Sequence, residues 1–218
     1  PGATPLWSGQ RYRHDRIRLA YLSADFHEHA TAYLVAGLFE QHDRNRFETI
    51  AVSFGPDSES EIRTRLKNSL DRFIDVRTES DFETATRLRD MEVDIAVDLK
   101  GLTGNSRPAI LALRPAPIQV NYLGYPGTMA ADTIDYVIAD RVVIPENDQP
   151  HYSEKVVYLP DTYASTDSKR RIADRTPSRA EAGLPETGFV FCSFNNSYKI
   201  TRRMFDIWMR LLRDVDGS

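Results

Sequence analysis

The sequence predicts an α/β protein: a Rossmann-like parallel sheet with flanking helices, followed by the first β-α unit of a second domain. Three observations predict it. Short β-branched or aromatic runs alternate with longer segments of helical periodicity as far as Pro160. A polar, basic, proline-punctuated stretch, DTYASTDSKRRIADRTPSRAEAGLPETG, then interrupts the alternation. Beyond it an apolar run, FVFCSF, and an amphipathic segment, TRRMFDIWMRLLRDV, repeat the β-α pattern once.

In chain order, strands are expected at 17–23 (IRLAYLS), 47–54 (FETIAVSF), 72–76, 93–99 (VDIAVDL), 118–123, 134–139 and 155–159. Helices are expected at 30–42, 59–70, 80–91 and 107–113. In the first helix Leu34, Val35, Leu38 and Phe39 recur at helical spacing, which turns one apolar face to the sheet. A short helix is expected around SRAEAGL. A single β-α unit cannot bury its own apolar surface, so the division expected is an extension over 1–15, a Rossmann-like domain over 16–160, a linker over 161–187 and the truncated start of a second domain over 188–218.

At 218 residues, 41% hydrophobic and 28% charged, the chain has an ordinary globular composition and enough length to bury a core. Its net charge of −4 supplies no broad positive field for a phosphate backbone, which argues against nucleic acid as partner. One cysteine, Cys192, cannot form an internal disulfide; a reducing, cytoplasmic setting is expected. No run reaches the roughly 18 apolar residues of a membrane span, and the start PGATPLWSGQ lacks the features of a signal peptide and an initiator methionine, as an excised piece of a longer protein would.

Open parallel sheets bind ligands beyond the carboxyl ends of their strands, which singles out four loops. In SADFHEHAT, Asp25, His27, Glu28 and His29 precede a helix start; the stretch is a polar N-cap or a group of proton-transfer and hydrogen-bonding side chains, and its H-x-H spacing lacks a third metal ligand. DLKGLTGNSRP offers Gly101 and Gly104 for close backbone approach and Lys100, Thr103, Asn105 and Arg107 as donors, without the spacing of a phosphate loop. LGYPGT, residues 123–128, is a stiff turn whose glycines leave backbone amides unshielded; it is a tight connection or a binding surface made of backbone. SFNNSYKI places Lys199 just inside a helix N-terminus, where a cation and free amides together suit a phosphate. No G-x-G-x-x-G follows the first strand, which disfavours a dinucleotide oxidoreductase.

The blocks YLSADFHEHAT, LRPAPIQVNYLGYPGT, IDYVIAD, YSEKVVYLPDTY and FCSFNNSYKI, in this order, resemble the catalytic region of the O-linked N-acetylglucosamine transferase family, which includes the plant SPINDLY proteins. The resemblance implies one half of a GT-B architecture, two Rossmann-like domains enclosing a nucleotide sugar. It implies an inverting, metal-independent protein O-glycosyltransferase that uses no cofactor and moves N-acetylglucosamine from UDP-GlcNAc to Ser or Thr of proteins. The acceptor would be presented by a tetratricopeptide region absent from this chain. SPINDLY-type use of GDP-fucose is the alternative implied by FNN; outside this enzyme class stands a non-catalytic sugar-nucleotide or protein-binding module. Tyr33, where animal members carry histidine, and the short linker resemble bacterial members.

Position by position, the resemblance gives catalytic roles to His29, a candidate base or acceptor-positioning group, and to Lys199, which would meet the diphosphate with Asn196. Leu123, Gly124, Pro126, Gly127 and Thr128 would bind the sugar. Bulk at Gly124 or Gly127 is then expected to cost donor affinity before it costs stability. The isolated chain, lacking most of the nucleotide domain, is expected to be inactive.

Overall fold

The structure is a computed structural model that describes residues 4–217. It divides into two compact units at Arg170 and Arg171. In the first unit, β1 (Ile17–Ser23), β2 (Phe47–Ser53), β3 (Arg72–Asp75), β4 (Ile95–Asp98), β5 (Ile118–Asn121), β6 (Tyr136–Ala139) and β7 (Lys155–Tyr158) form one sheet. The strands run parallel in the order β3-β2-β1-β4-β5-β6-β7. Four helices connect them: α1 (Ala30–Glu40), α2 (Glu61–Ser69), α3 (Asp81–Asp90) and the short α4 (Pro108–Ala112).

Period-two alternation along the strands explains why helices cover both faces. From β1, Leu19 and Tyr21 enter a cluster with Val35 and Phe39 of α1 and Ile62 and Leu66 of α2. Ala20 and Leu22 enter the opposite cluster with Ala85 and Leu88 of α3 and Ile110 and Leu111 of α4. The helices start where short polar side chains cap them: Ser60 accepts from Arg63 N, and Ser80 forms a reciprocal capping box with Glu83.

The first unit extends past the last strand because segment 161–170 is tied back to the helices. Arg65 of α2 forks between Glu40 of α1 and Asp167, with donor distances from 2.6 to 3.1 Å, and Lys169 reaches Glu40 at 2.7 Å. Hydrogen bonds from Arg65 and then Lys169 bring the Glu40 carboxyl down from 4.5 to about 2. A carboxyl lowered on folding stabilises the native state above its ordinary range, and that contribution is lost as pH falls through the folded value. Amide resonances of residues 166–170 are therefore expected to lose their native positions between about pH 4.5 and about pH 2 while those of β1 hold. Simultaneous loss of both would mean the segment has no separate tie.

In the second unit, α5 (Arg202–Asp214) forms where the amphipathic pattern placed it, capped by Thr201, which accepts from Met204 N. Two expectations fail here. FVFCSF is not a strand: among the described residues no segment pairs with it, and an extended run becomes a strand only through a ladder partner. SRAEAGL forms hydrogen-bonded turns in place of a helix: Ala182 N donates to Ser178 O, Gly183 takes a φ of 68°, and Leu184 N then donates back to Arg179 O. No helix of the described residues is long and apolar enough to cross a membrane.

Candidate functional site

The order of the sheet reverses at β1, which pairs with β2 on one side and β4 on the other. The loops after β1 and β4 diverge there and leave the crevice of a doubly wound sheet. Because β5 is the next strand, the 123–128 turn lies beside the β4 loop on the same edge. Three of the four loops chosen from the sequence thus share one rim. Asn196 and Lys199 belong to the second unit, where Asn196 precedes a 3-10 turn, Ser197–Lys199. Lys199 lies upstream of the Thr201 cap of α5 and not inside the helix as the sequence suggested.

The β1 loop is held from below. Arg63 of α2, 2% exposed, donates to Phe26 O at 2.8 Å and Ser53 Oγ at 3.3 Å, pairs with Asp57 at 2.9 Å, and lies over the Phe73 ring. Gly55 has no room for a side chain, since a Cβ there would stand 1.7 Å from Ala24 O. Nothing in the pattern of α2 singled out Arg63, because an arginine in a polar helix reads as surface until its depth is known.

At the end of this loop His29 is the N-cap of α1: its Nδ1 accepts from Thr31 N at 3.2 Å. Asp25 Oδ2 lies 3.6 Å from the same nitrogen and takes a 2.7 Å bond from Lys100 Nζ. A neutral imidazole accepting at Nδ1 carries its proton on Nε2, so the free edge of His29 donates in this arrangement. Converting Nε2 to a base requires Nδ1 to leave Thr31 and donate to Asp25.

The β4 loop has little left for a ligand, contrary to the donor set expected for it. Lys100 is buried against Asp25, Thr103 Oγ1 donates to Lys100 O, and Arg107 is spent on Asp81, Val76 O and Glu79 O near the start of α3. Asp98 ties down the loop's first turn by accepting from Lys100 N at 2.8 Å and Gly101 N at 3.1 Å, and burial pushes its carboxyl up to about 6.

The 123–128 turn has the opposite character. Asn121 Nδ2 donates to Tyr125 O and Gly127 O, and Tyr152 Oη donates to Pro126 O. Three successive carbonyls are thereby occupied, while the N–H groups of Tyr125, Gly127 and Thr128 meet no acceptor among the described residues. From Tyr125 to Gly127 the carbonyls are engaged from within the fold, so this part of the turn offers amides. Thr128, expected among the sugar-binding residues, has its hydroxyl committed to Glu154 Oε2 at 2.7 Å and keeps its amide. Gly124 is a packing requirement, since a Cβ would stand 2.1 Å from Leu99 O; its bulk is expected to cost stability first, which reverses the sequence expectation at that position. Asn121, Tyr152 and Glu154 carried no assigned role in the sequence, although Tyr152 and Glu154 lie in the YSEKVVYLPDTY block.

This doubly wound sheet, with its rim of loops, has the Rossmann-like fold of the GT-B glycosyltransferase class. The chain belongs to glycosyl transferase family 41, whose profile matches residues 6–176. It is 35% identical over 208 residues to the Arabidopsis thaliana protein named probable UDP-N-acetylglucosamine–peptide N-acetylglucosaminyltransferase SEC, covering 93% of this chain and 21% of that one. It is 29% identical over 216 residues to the Arabidopsis SPINDLY protein, which carries the same enzyme description, covering 97% and 23%. Among solved structures, a mutant of the Thermobaculum terrenum O-GlcNAc transferase superposes with a TM-score of 0.67 at 32% identity, covering 75% of this chain and 31% of that one. The chain spans about a fifth of the length of these plant relatives.

Proposed function

We propose that this chain supplies one Rossmann-like half of a cytoplasmic, inverting protein O-glycosyltransferase that transfers N-acetylglucosamine from UDP-GlcNAc to Ser or Thr. The observation that carries the reading is the row of unengaged amides at Tyr125, Gly127 and Thr128 on the carboxyl edge of the sheet: a sugar nucleotide is rich in hydroxyl, carbonyl and phosphate acceptors. In this reading the backbone of Leu123, Gly124, Pro126, Gly127 and Thr128 faces the sugar, and Asn196 and Lys199 meet the diphosphate. Lys199 supplies the positive charge for the leaving group. The acceptor protein is presented by a tetratricopeptide region outside this chain. The names of the plant relatives support the donor.

The test is incubation of the full-length protein with UDP-GlcNAc, UDP-glucose or GDP-fucose and a protein acceptor, followed by intact mass. A gain of one N-acetylhexosamine is expected with the first donor alone. A gain of deoxyhexose would move the protein to the SPINDLY-type alternative, and no gain with any donor would leave a binding module.

His29 acts in this reading by donating from Nε2 to the acceptor hydroxyl, positioning it. Since His29 also caps α1, alanine would confound chemistry with a helix-cap loss of about 1 kcal/mol. His29→Asn retains an oxygen for Thr31 N. It is expected to raise the acceptor KM about tenfold, one lost hydrogen bond in the complex, with a smaller change in kcat. A fall in kcat of about 10³-fold at unchanged KM would instead make His29 the base.

A further inference from the structure

Behind the 123–128 turn sits a brace that the binding surface itself does not include. Glu154, 4% exposed and immediately before β7, accepts from Met129 N at 2.6 Å through Oε1 and from Thr128 Oγ1 at 2.7 Å through Oε2. It forms no ion pair among the described residues, so its charge is met by these two short donors. Thr128 Oγ1 in turn accepts from Ala130 N at 3.0 Å and Ser153 N at 3.3 Å. Tyr152 Oη holds Pro126 O at 2.9 Å, and the fully buried Asn121 amide holds Tyr125 O at 2.9 Å and Gly127 O at 3.1 Å.

The stretch needs such a brace because its backbone is uncomfortable. Leu123 and Ala130 bound it with φ of 68° and 49°, left-handed values that side chains with a Cβ disfavour by about 1 kcal/mol or more each. A peptide unit free to rotate would turn a carbonyl outward in place of an amide, and the row of amides at 125–128 would be broken. Each brace contact captures a carbonyl or fixes Thr128 and Met129 from behind.

We propose that Glu154, Tyr152 and Asn121 are positioning residues that hold the 123–128 turn with the amides of Tyr125, Gly127 and Thr128 presented, so that the pre-β7 segment sets affinity for the sugar nucleotide without touching it. The inference rests on the reading of this turn as the sugar-facing surface. It also states the ligand chemistry that the amides of Tyr125, Gly127 and Thr128 accept: oxygen acceptors.

The test uses the full-length protein with UDP-GlcNAc as probe and reads two quantities. Hydrogen exchange at the amides of Tyr125, Gly127 and Thr128 is followed with and without the nucleotide sugar, and donor KM is measured against kcat. In the wild type the three amides are expected to slow at least tenfold on binding. In Tyr152→Phe and Glu154→Gln that protection should fall and donor KM should rise about tenfold, with acceptor KM unchanged. Protection in the wild type that persists undiminished in both variants, with donor KM within twofold, would overturn the brace. Absence of protection in the wild type would remove the reading of the turn itself, and the brace with it. Should Glu154→Gln fail to fold, Tyr152→Phe, which removes one hydroxyl, decides alone.

Discussion

Lys199→Ala in the full-length protein is expected to lower kcat by about 10²–10³-fold while leaving the thermal midpoint where it is. The two halves of this expectation have separate grounds. Lys199 is exposed and closes the 3-10 turn Ser197–Lys199 through its backbone N–H, which donates to Asn196 O at 3.0 Å. Its ammonium forms no ion pair among the described residues, so truncation removes no contact that holds the fold. The kinetic half follows from the proposed chemistry. As the glycosidic bond breaks, negative charge accumulates on the departing diphosphate, and a cation placed there stabilises the transition state more than the ground state. Lys199→Arg should recover part of kcat, because charge is retained while its geometry changes. A variant Lys199→Ala that turns over within threefold of wild type would end the assignment, and a loss of melting temperature would reassign the residue to the fold.

The parallel sheet was legible because its physics is local. Runs such as IRLAYLS and FETIAVSF are apolar on both faces, as strands covered on both sides must be, and Leu34, Val35, Leu38 and Phe39 mark the inner side of α1. The interesting edge was legible too, since the carboxyl ends of parallel strands locate it without any family knowledge. What the sequence could not show is which polar groups would be consumed by one another. Lys100, Thr103 and Arg107 look like ligand donors until the fold brings Asp25, Lys100 O and Asp81 to them. Asn121, Tyr152 and Glu154 meet the turn across separations of up to 26 residues, and no periodicity encodes such a meeting. FVFCSF failed for a related reason: strand formation depends on a neighbour, and composition reports only willingness.

The two glycines of the turn are expected to answer differently to the same added methyl. At Gly124 a Cβ would stand 2.1 Å from Leu99 O and 2.9 Å from Leu99 C, both backbone atoms at the end of β4. Neither can rotate away without disturbing the turn that Asp98 fixes through Lys100 N and Gly101 N. Gly124→Ala should therefore destabilise the domain by about 3 kcal/mol, the upper range for overpacking, and lower the midpoint of urea unfolding. At Gly127 the atoms in the way are Cζ, Cε1 and Oη of Tyr125, between 2.6 and 2.7 Å, the far end of a side chain that turns about χ1. Gly127→Ala should fold with a loss of under about 1 kcal/mol. Its cost should fall on donor KM, raised about tenfold, because the methyl and the displaced ring both crowd the amide surface. Equal melting of Gly124→Ala and wild type would show that β4 and the turn are not in close contact. An unchanged donor KM in Gly127→Ala would show that the sugar nucleotide lies elsewhere, whatever the stability of the variant.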